Sequence, residues 1–213
     1  MSAITQTSSA KNIKIKNRTS LHQGFCPIDL YTLEQQRFDG SWTPEYTREF
    51  VAKKSAVAAL PYDPKLNRVV LIEQLRIGAI EQNATPWLIE IVAGVMDKDH
   101  QESSEELIRR EMLEEAGLEI ETLIPIHDYF SSPGYSTEKL QLFCAKVDST
   151  KAPKFGGLKD EHEDIKVHVV STEDAFAAVR CGQINNAATI IALQWLELNL
   201  QRVNYKWNLI ASP

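Results

Sequence analysis

Short apolar runs broken by turn residues recur along this chain, and they restrict it to folds built around a sheet. Residues 55–60 (SAVAAL) and 68–73 (RVVLIE) read as strands, with Pro61-Tyr62-Asp63-Pro64 between them as a turn. A third run, Trp87 to Val92, reads as a strand ending at Ala93-Gly94. Ser103 to Gly117 reads as a helix: Ser103 with Glu106 fits a capping box and Gly117 fits a C-cap. Leu123 to Phe130 and Leu140 to Val147 are expected strands on either side of the loop Ser131-Ser132-Pro133-Gly134. Ile165 to Val170 follows as a strand, then helices over Ser171 to Arg180 and Asn185 to Leu200. The order is β-rich, helix, β-rich, helix, which predicts an α+β or α/β sandwich.

The first fifty residues differ in character. Residues 1–10 are small and polar, and are expected to form a disordered tail. From Lys11 the text alternates, with Ile13 and Ile15 on one side. Phe25 to Leu33 has a similar period, Phe38-Asp39-Gly40-Ser41 is a turn signal, and Trp42 to Val51 looks extended. The expectation is a small antiparallel sheet over residues 11–52, followed by the main domain over 53–213. That sheet has too few apolar residues to bury itself, so it should pack on something else, such as a second subunit.

Composition excludes several classes. A length of 213 residues gives one to two domains, and 43% apolar with 24% charged residues is ordinary for a soluble globular protein. A net charge of −6 and a pI near 5.4 argue against a general nucleic-acid binder. Cys26, Cys144 and Cys181 cannot all pair with one another, and they read as reduced thiols of a cytoplasmic protein. No apolar run reaches membrane-spanning length, and the first ten residues lack the basic start and apolar stretch of a secretory signal.

Charge is concentrated in one place. Between Gly94 and Leu118 stand eight acids (Asp97, Asp99, Glu102, Glu105, Glu106, Glu111, Glu114, Glu115) against three bases, Lys98, Arg109 and Arg110. On a helix Glu111, Glu114 and Glu115 share a face, while Ile108, Met112 and Ala116 lie on another arc and can face a core. A Glu-rich helix face is ordinarily just solvated. Here Glu111 and Glu115 stand at i, i+4, where like charges repel by a few tenths of a kcal/mol. Hard divalent cations such as Mg²⁺ or Mn²⁺, which prefer oxygen ligands, would turn that repulsion into coordination.

The spacing resembles the Nudix box, G-x5-E-x7-R-E-U-x-E-E-x-G-U with U aliphatic. Arg110, Glu111, Met112, Glu114, Glu115, Gly117 and Leu118 match its second half, and Glu102 stands the required eight positions before Arg110. Gly94 departs from the pattern, because seven residues rather than five separate it from Glu102. This reads as a two-residue insertion within Asp97 to Gln101; the strict register would place His100 at the glutamate position. The likeness extends beyond the box. The stretches GFCPIDLY, REFVAKKSAVAALPYDP, VVLIEQLRIGA, PWLIEIVAG, SSPGYSTE, EDIKVHVV and INNAATIIALQWL resemble the bacterial ADP-ribose pyrophosphatases of that family.

The resemblance implies a Nudix-type α/β/α sandwich with a mixed sheet, plus an N-terminal sheet exchanged in a homodimer. It implies hydrolysis of ADP-ribose to AMP and ribose 5-phosphate with Mg²⁺, or with Mn²⁺ in its place, at two or three ions per site. The ions would neutralise the diphosphate and activate water, and a rigid helix would hold their ligands. Carried over residue by residue, the Ala93 carbonyl, Glu111, Glu115 and Glu163 bind metal, and Glu161 is the general base. Gly94, Glu102, Arg110 and Glu114 support the box, Arg110 through an ion pair inside it. Substrate contacts come from Arg48, Glu49, Arg76, Val95, Ser132, Pro133, Gly134 and Glu138, and from Phe25 and Cys26 of the partner subunit. A mobile loop around Glu161 could swing a carboxylate onto the attacking water. His168 and Cys144 are read as structural.

Two alternatives stand beside this. One is a Nudix hydrolase acting on another nucleoside diphosphate sugar such as GDP-mannose. The other is a non-catalytic nucleotide-sugar-binding regulator, expected to lack box glutamates or to carry an added DNA-binding domain. Glu102, Glu111, Glu114 and Glu115 are all present.

Overall fold

The computed structural model describes residues 8–82, 85–96 and 102–207. These fall into two units, one from the stretches 1–54 and 130–138 and the other from 55–129 and 139–213. Residues 1–7 of the expected tail lie outside the described residues. Ser9 is ordered and caps a single 3₁₀ turn, Ala10–Asn12.

The smaller unit is an antiparallel meander of β1 (Ile13–His22), β2 (Ile28–Gln35) and β3 (Tyr46–Val51), in that spatial order. Every residue of β1 is exposed, Ile13, Ile15 and Leu21 included. Its basic face is tied to β2: Lys16 pairs with Glu34 at 3.4 Å, and Arg18 donates through Nε and Nη2 to buried Asp29 at 2.9 and 2.5 Å. Tyr31 and Phe50 add one aromatic contact, with centroids 4.6 Å apart. Residues 131–138 join this unit through Val51, whose N–H donates to Tyr135 and whose carbonyl accepts from Thr137.

The larger unit contains β4 (Ala56–Asp63), β5 (Arg68–Leu75), β6 (Trp87–Glu90), β7 (Val92–Val95), α1 (Ser104–Ala116), β8 (Thr122–Phe130) and β9 (Lys139–Lys146). It is completed by β10 (Phe155–Gly156), β11 (Ile165–Ser171), α2 (Thr172–Arg180) and α3 (Ala187–Lys206). The mixed sheet runs β10-β11-β5-β4-β9-β8, with β6 on β5 and β7 on β4. Of the β4 pairings, that with β9 is parallel. β4 and β5 pair only at Tyr62–Val69 and Asp63–Arg68 and then diverge. β6 and β7 fill the fork between them, each following one prong.

Both sheet faces are covered, so β4 is buried along its whole length and shows a continuous apolar run rather than alternation. Val57, Ala59, Val70, Ile72 and Val92 face Leu107, Ile108, Met112 and Ala116 of α1. Ala58, Leu60, Tyr62, Leu71 and Cys144 face Ala192, Leu193, Leu196 and Val203 of α3. Burial pushes the Cys144 thiol upward, which keeps it a neutral core residue. Among the described residues, no helix is long and apolar enough to cross a membrane.

Of the boundaries that differ from the sequence expectations, three have a tertiary reason. Pro61 to Asp63 continue β4 instead of turning, and the turn falls at 64–67. Pro61 lies between the last β7 partner, Ala59, and the first β5 partner, Tyr62, where that side of β4 has no ladder partner. The expected strand over Trp87 to Val92 is two strands, because the chain leaves β5 and joins β4 at Ile91, so that Ala93-Gly94 lies within β7. α3 extends to Lys206, where buried Val203 and a 3.0 Å hydrogen bond from the Tyr62 hydroxyl to Asn204 hold its last turns.

Candidate active site

Helix α1 begins where local chemistry dictates. Ser103 accepts from the Glu106 N–H, and the Glu106 carboxylate accepts from the Ser103 N–H at 2.8 Å, satisfying two end donors. Gly117 closes the helix in the left-handed conformation, its N–H donating to Leu113 and Met112. The apolar arc of α1 packs on the sheet, which fixes the direction of its acidic face. Glu115 is 3% exposed, and its carboxylate accepts the Ala93 N–H of β7 at 3.2 Å. Glu111 lies one turn earlier against Gly94; a Cβ there would come within 2.5 Å of the Glu111 side chain. The glycine therefore lets α1 and β7 approach closely enough to enclose both carboxylates.

Enclosure is electrostatically unfavourable. Burial, with added repulsion from Glu114 and Glu163, pushes Glu111 up to about 7 despite Arg110 beside it. Burial also pushes Glu115 up to about 8, reinforced by Glu111 and Glu163 and opposed by the Ala93 N–H and Arg76. Arg110 is shared among three acids: it pairs with Glu102 at 3.2 Å, Glu114 at 2.6 Å and Glu111 at 3.1 Å, and these acids raise its pKa. Under-neutralised, oxygen-only donors on a rigid helix fit a hard divalent cation. Among the described residues, no three His, Cys, Asp or Glu side chains are gathered as a ready chelating group. The expected set of Glu111, Glu115, Glu163 and the Ala93 carbonyl is thus not preassembled on side chains alone.

The strand and loop after β9 complete the neighbourhood. Gly156 of β10 crosses the end of α1 so closely that a Cβ would lie 2.0 Å from the Glu115 carbonyl oxygen, and the Gly157 N–H donates to Glu114 at 2.8 Å. Beyond it, Glu161 is exposed on a 3₁₀ turn, Lys159–Glu161. Glu163 is half-buried and accepts the Leu158 N–H at 3.2 Å. Arg76, just after β5, has a side chain 45% exposed; its partial burial opposes ionisation, Glu90 more than restores it, and the charges of Glu115 and Glu163 add to that. Val95 is exposed at the end of β7. His168 is paired with Glu73 at 2.8 Å on the sheet. His100 and the inserted residues within 97–101 lie outside the described residues.

The remaining expected contacts belong to the smaller unit. Arg48 is exposed on β3 with its guanidinium 4.6 Å from the Tyr46 ring centroid, and Glu49 is exposed beside it. Ser132, Pro133 and Gly134 form a turn in which the Ser132 carbonyl accepts from Tyr135 and Ser136. Glu138 is fixed by Lys53 at 3.1 Å and by the Ser131 hydroxyl at 2.5 Å. Phe25 is 99% exposed, and Cys26 next to it is half-buried.

Two residues near the acids carry no sequence expectation. Glu90 ends β6, is 4% exposed, and binds Arg76 through Nε at 2.9 Å and Nη2 at 2.7 Å. Asn186 caps α3 and donates to Glu90 at 2.8 Å. The only sequence signal for the first is an acid interrupting an otherwise apolar run, and for the second an Asn before a helix.

Comparison with known proteins agrees with this geometry. A NUDIX domain family model matches residues 52–192. The chain is 43% identical over 196 residues to the ADP-ribose pyrophosphatase of Escherichia coli strain K12, covering 92% of this chain and 93% of that protein. It is 38% identical to the ADP-ribose pyrophosphatase of Haemophilus influenzae, covering 93% and 92% of the two chains. The GDP-mannose pyrophosphatase of Cronobacter sakazakii is 31% identical, with 88% and 96% covered. A solved structure described as an ADP compounds hydrolase superposes with a TM-score of 0.70 at 17% identity, covering 96% of this chain and all of the other, and so shares its fold. With the acidic helix, the glycine-lined strand and these matches in agreement, the chain belongs to the Nudix family.

Proposed function

We propose that the protein is a Mg²⁺-dependent ADP-ribose pyrophosphatase, which adds water across the diphosphate to release AMP and ribose 5-phosphate. The observation that carries the substrate is 43% identity, nearly end to end, to relatives bearing that name, against 31% for a GDP-mannose pyrophosphatase. The enclosed Glu111–Glu115 pair supports the chemistry.

In this reading Glu111, Glu115, Glu163 and the Ala93 carbonyl hold two or three ions. When bound, Mg²⁺ supplies positive charge to the diphosphate and acidity to a water. Glu161, exposed on its own turn, accepts the proton of the attacking water. Arg76 binds the diphosphate, where a planar guanidinium suits phosphate oxygens. Gly94 lets α1 approach, and Arg110 with Glu102 and Glu114 keeps Glu111 in place. Val95 and, from the smaller unit, Arg48, Glu49, Ser132, Pro133, Gly134 and Glu138 contact the rest of the substrate. Phe25 and Cys26 of the partner subunit meet the adenine. The exposed apolar residues of the three-stranded sheet support a homodimer that exchanges this unit. The acidic composition and three unpaired cysteines support a cytoplasmic location without nucleic-acid or membrane partners.

The test is steady-state turnover with Mg²⁺ on ADP-ribose, GDP-mannose, NADH and diadenosine polyphosphates. Highest kcat/KM on ADP-ribose is expected. Preference for GDP-mannose would keep the Nudix chemistry and overturn the substrate assignment.

A further inference from the structure

We propose that Glu90 is a positioning residue for the diphosphate: it orients Arg76 and locks that orientation to the strand carrying Ala93 and Gly94. This inference rests on the reading of Arg76 as a substrate contact.

The carboxylate of Glu90 is buried, and both oxygens are occupied. Oε2 accepts from Arg76 Nε at 2.9 Å and Nη2 at 2.7 Å, with Gln74 Nε2 at 3.4 Å. Oε1 accepts from Asn186 Nδ2 at 2.8 Å. The arrangement continues as a closed ring. Asn186 Oδ1 accepts from the Thr189 hydroxyl and N–H at 3.1 and 3.2 Å, and the same hydroxyl accepts from the Ile91 N–H at 3.1 Å. The ring therefore leaves the chain at Glu90 and returns at Ile91, the point where β6 gives way to β7. Two residues on, the Ala93 N–H binds Glu115. The Arg76 backbone is held too, its N–H donating to Pro86 at 2.7 Å.

Donor and acceptor arithmetic explains why a carboxylate stands here. Arg76 and Asn186 Nδ2 both donate, so residue 90 must accept on both sides. A glutamine at this position accepts on one side only and turns an NH₂ donor toward the other. Either Arg76 loses its fork or Asn186 must rotate away from capping α3. With Nε and Nη2 engaged on Glu90, the Nη1 edge of Arg76 is the one presented to a ligand, in a place already under the field of Glu115 and Glu163. A guanidinium held in one orientation binds an anion without first losing its rotamer freedom.

The experiment is a double-mutant cycle of Glu90→Gln and Arg76→Ala, read as KM and kcat on ADP-ribose and as Kd for the non-hydrolysable α,β-methylene analogue. Glu90→Gln is expected to raise KM and Kd about tenfold with kcat within about twofold, and to have no further effect once Arg76 is alanine. Independent, multiplying effects, or a lowered Tm with unchanged KM and Kd, would overturn the proposal. If Glu90→Gln does not fold, Glu90→Asp is used in the same cycle, because the shorter acid cannot reach both partners. A wild-type protein that binds the analogue but leaves ADP-ribose intact would fail the enzymatic reading alone, and the Kd cycle would still decide the role of Glu90. A wild type that does neither overturns both.

Discussion

Glu115 carries a cost that its own fold imposes. Its carboxyl is pushed up to about 8 and that of Glu111 to about 7, both from an ordinary 4.5, so the folded protein holds protons that the unfolded chain has released. The sign follows from linkage. A carboxyl raised on folding contributes stability that is present at acid pH and is lost as pH rises through the folded value. The metal-free protein is therefore expected to lose Tm as pH rises from about 5.5 to about 8, above the range in which Asp63, Glu73 and Glu106, all lowered on folding, titrate. Glu115→Gln should flatten that slope and raise Tm at about pH 8, and saturating Mg²⁺ should flatten it in the unmodified protein. A Tm that rises over the same range would contradict the account of the acid pair. The pair itself is legible in the sequence, because i, i+4 spacing on a helix is a local fact. Glu90 is not, because its meaning depends on Asn186, 96 positions away.

Elements were readable in proportion to how locally they are determined. α1 runs between the Ser103 and Gly117 caps that its sequence advertises, since a capping box and a left-handed glycine act within one turn. The division of residues 87–95 into β6 and β7 leaves no mark on an apolar run, because it arises from a change of partner strand. β10 is still less visible: two residues, Phe155 and Gly156, are held by what they cross. Gly156→Ala would put a methyl 2.0 Å from the Glu115 carbonyl, a backbone atom that cannot swing aside. That variant is expected to lose about 1–3 kcal/mol in urea denaturation, the usual cost of forcing an extra carbon into a packed contact. Loss of activity beyond the loss of stability would show that β10 also fixes the end of α1. A variant as stable as the parent would contradict the close crossing.

At the scale of the whole molecule, the two units differ in how completely each is buried. The larger one covers both faces of its sheet with helices, whereas β1 of the smaller one is exposed at every residue. The sparse apolar content of the first fifty residues already suggested that imbalance; what covers the small sheet is a matter of assembly. The dimer reading predicts a solution mass twice the 24.1 kDa of one chain at micromolar concentration. A monomer by light scattering would contradict it. In the proposed reading, the enclosed acids of α1 would hold the metal with which the protein hydrolyses the diphosphate of ADP-ribose. The direct measurement is product release from ADP-ribose at saturating Mg²⁺ by the unmodified protein and by Glu115→Gln. Equimolar AMP and ribose 5-phosphate are expected from the first, with turnover lower by about a hundredfold or more in the second. Near-normal turnover in Glu115→Gln, or products other than this pair, would contradict it.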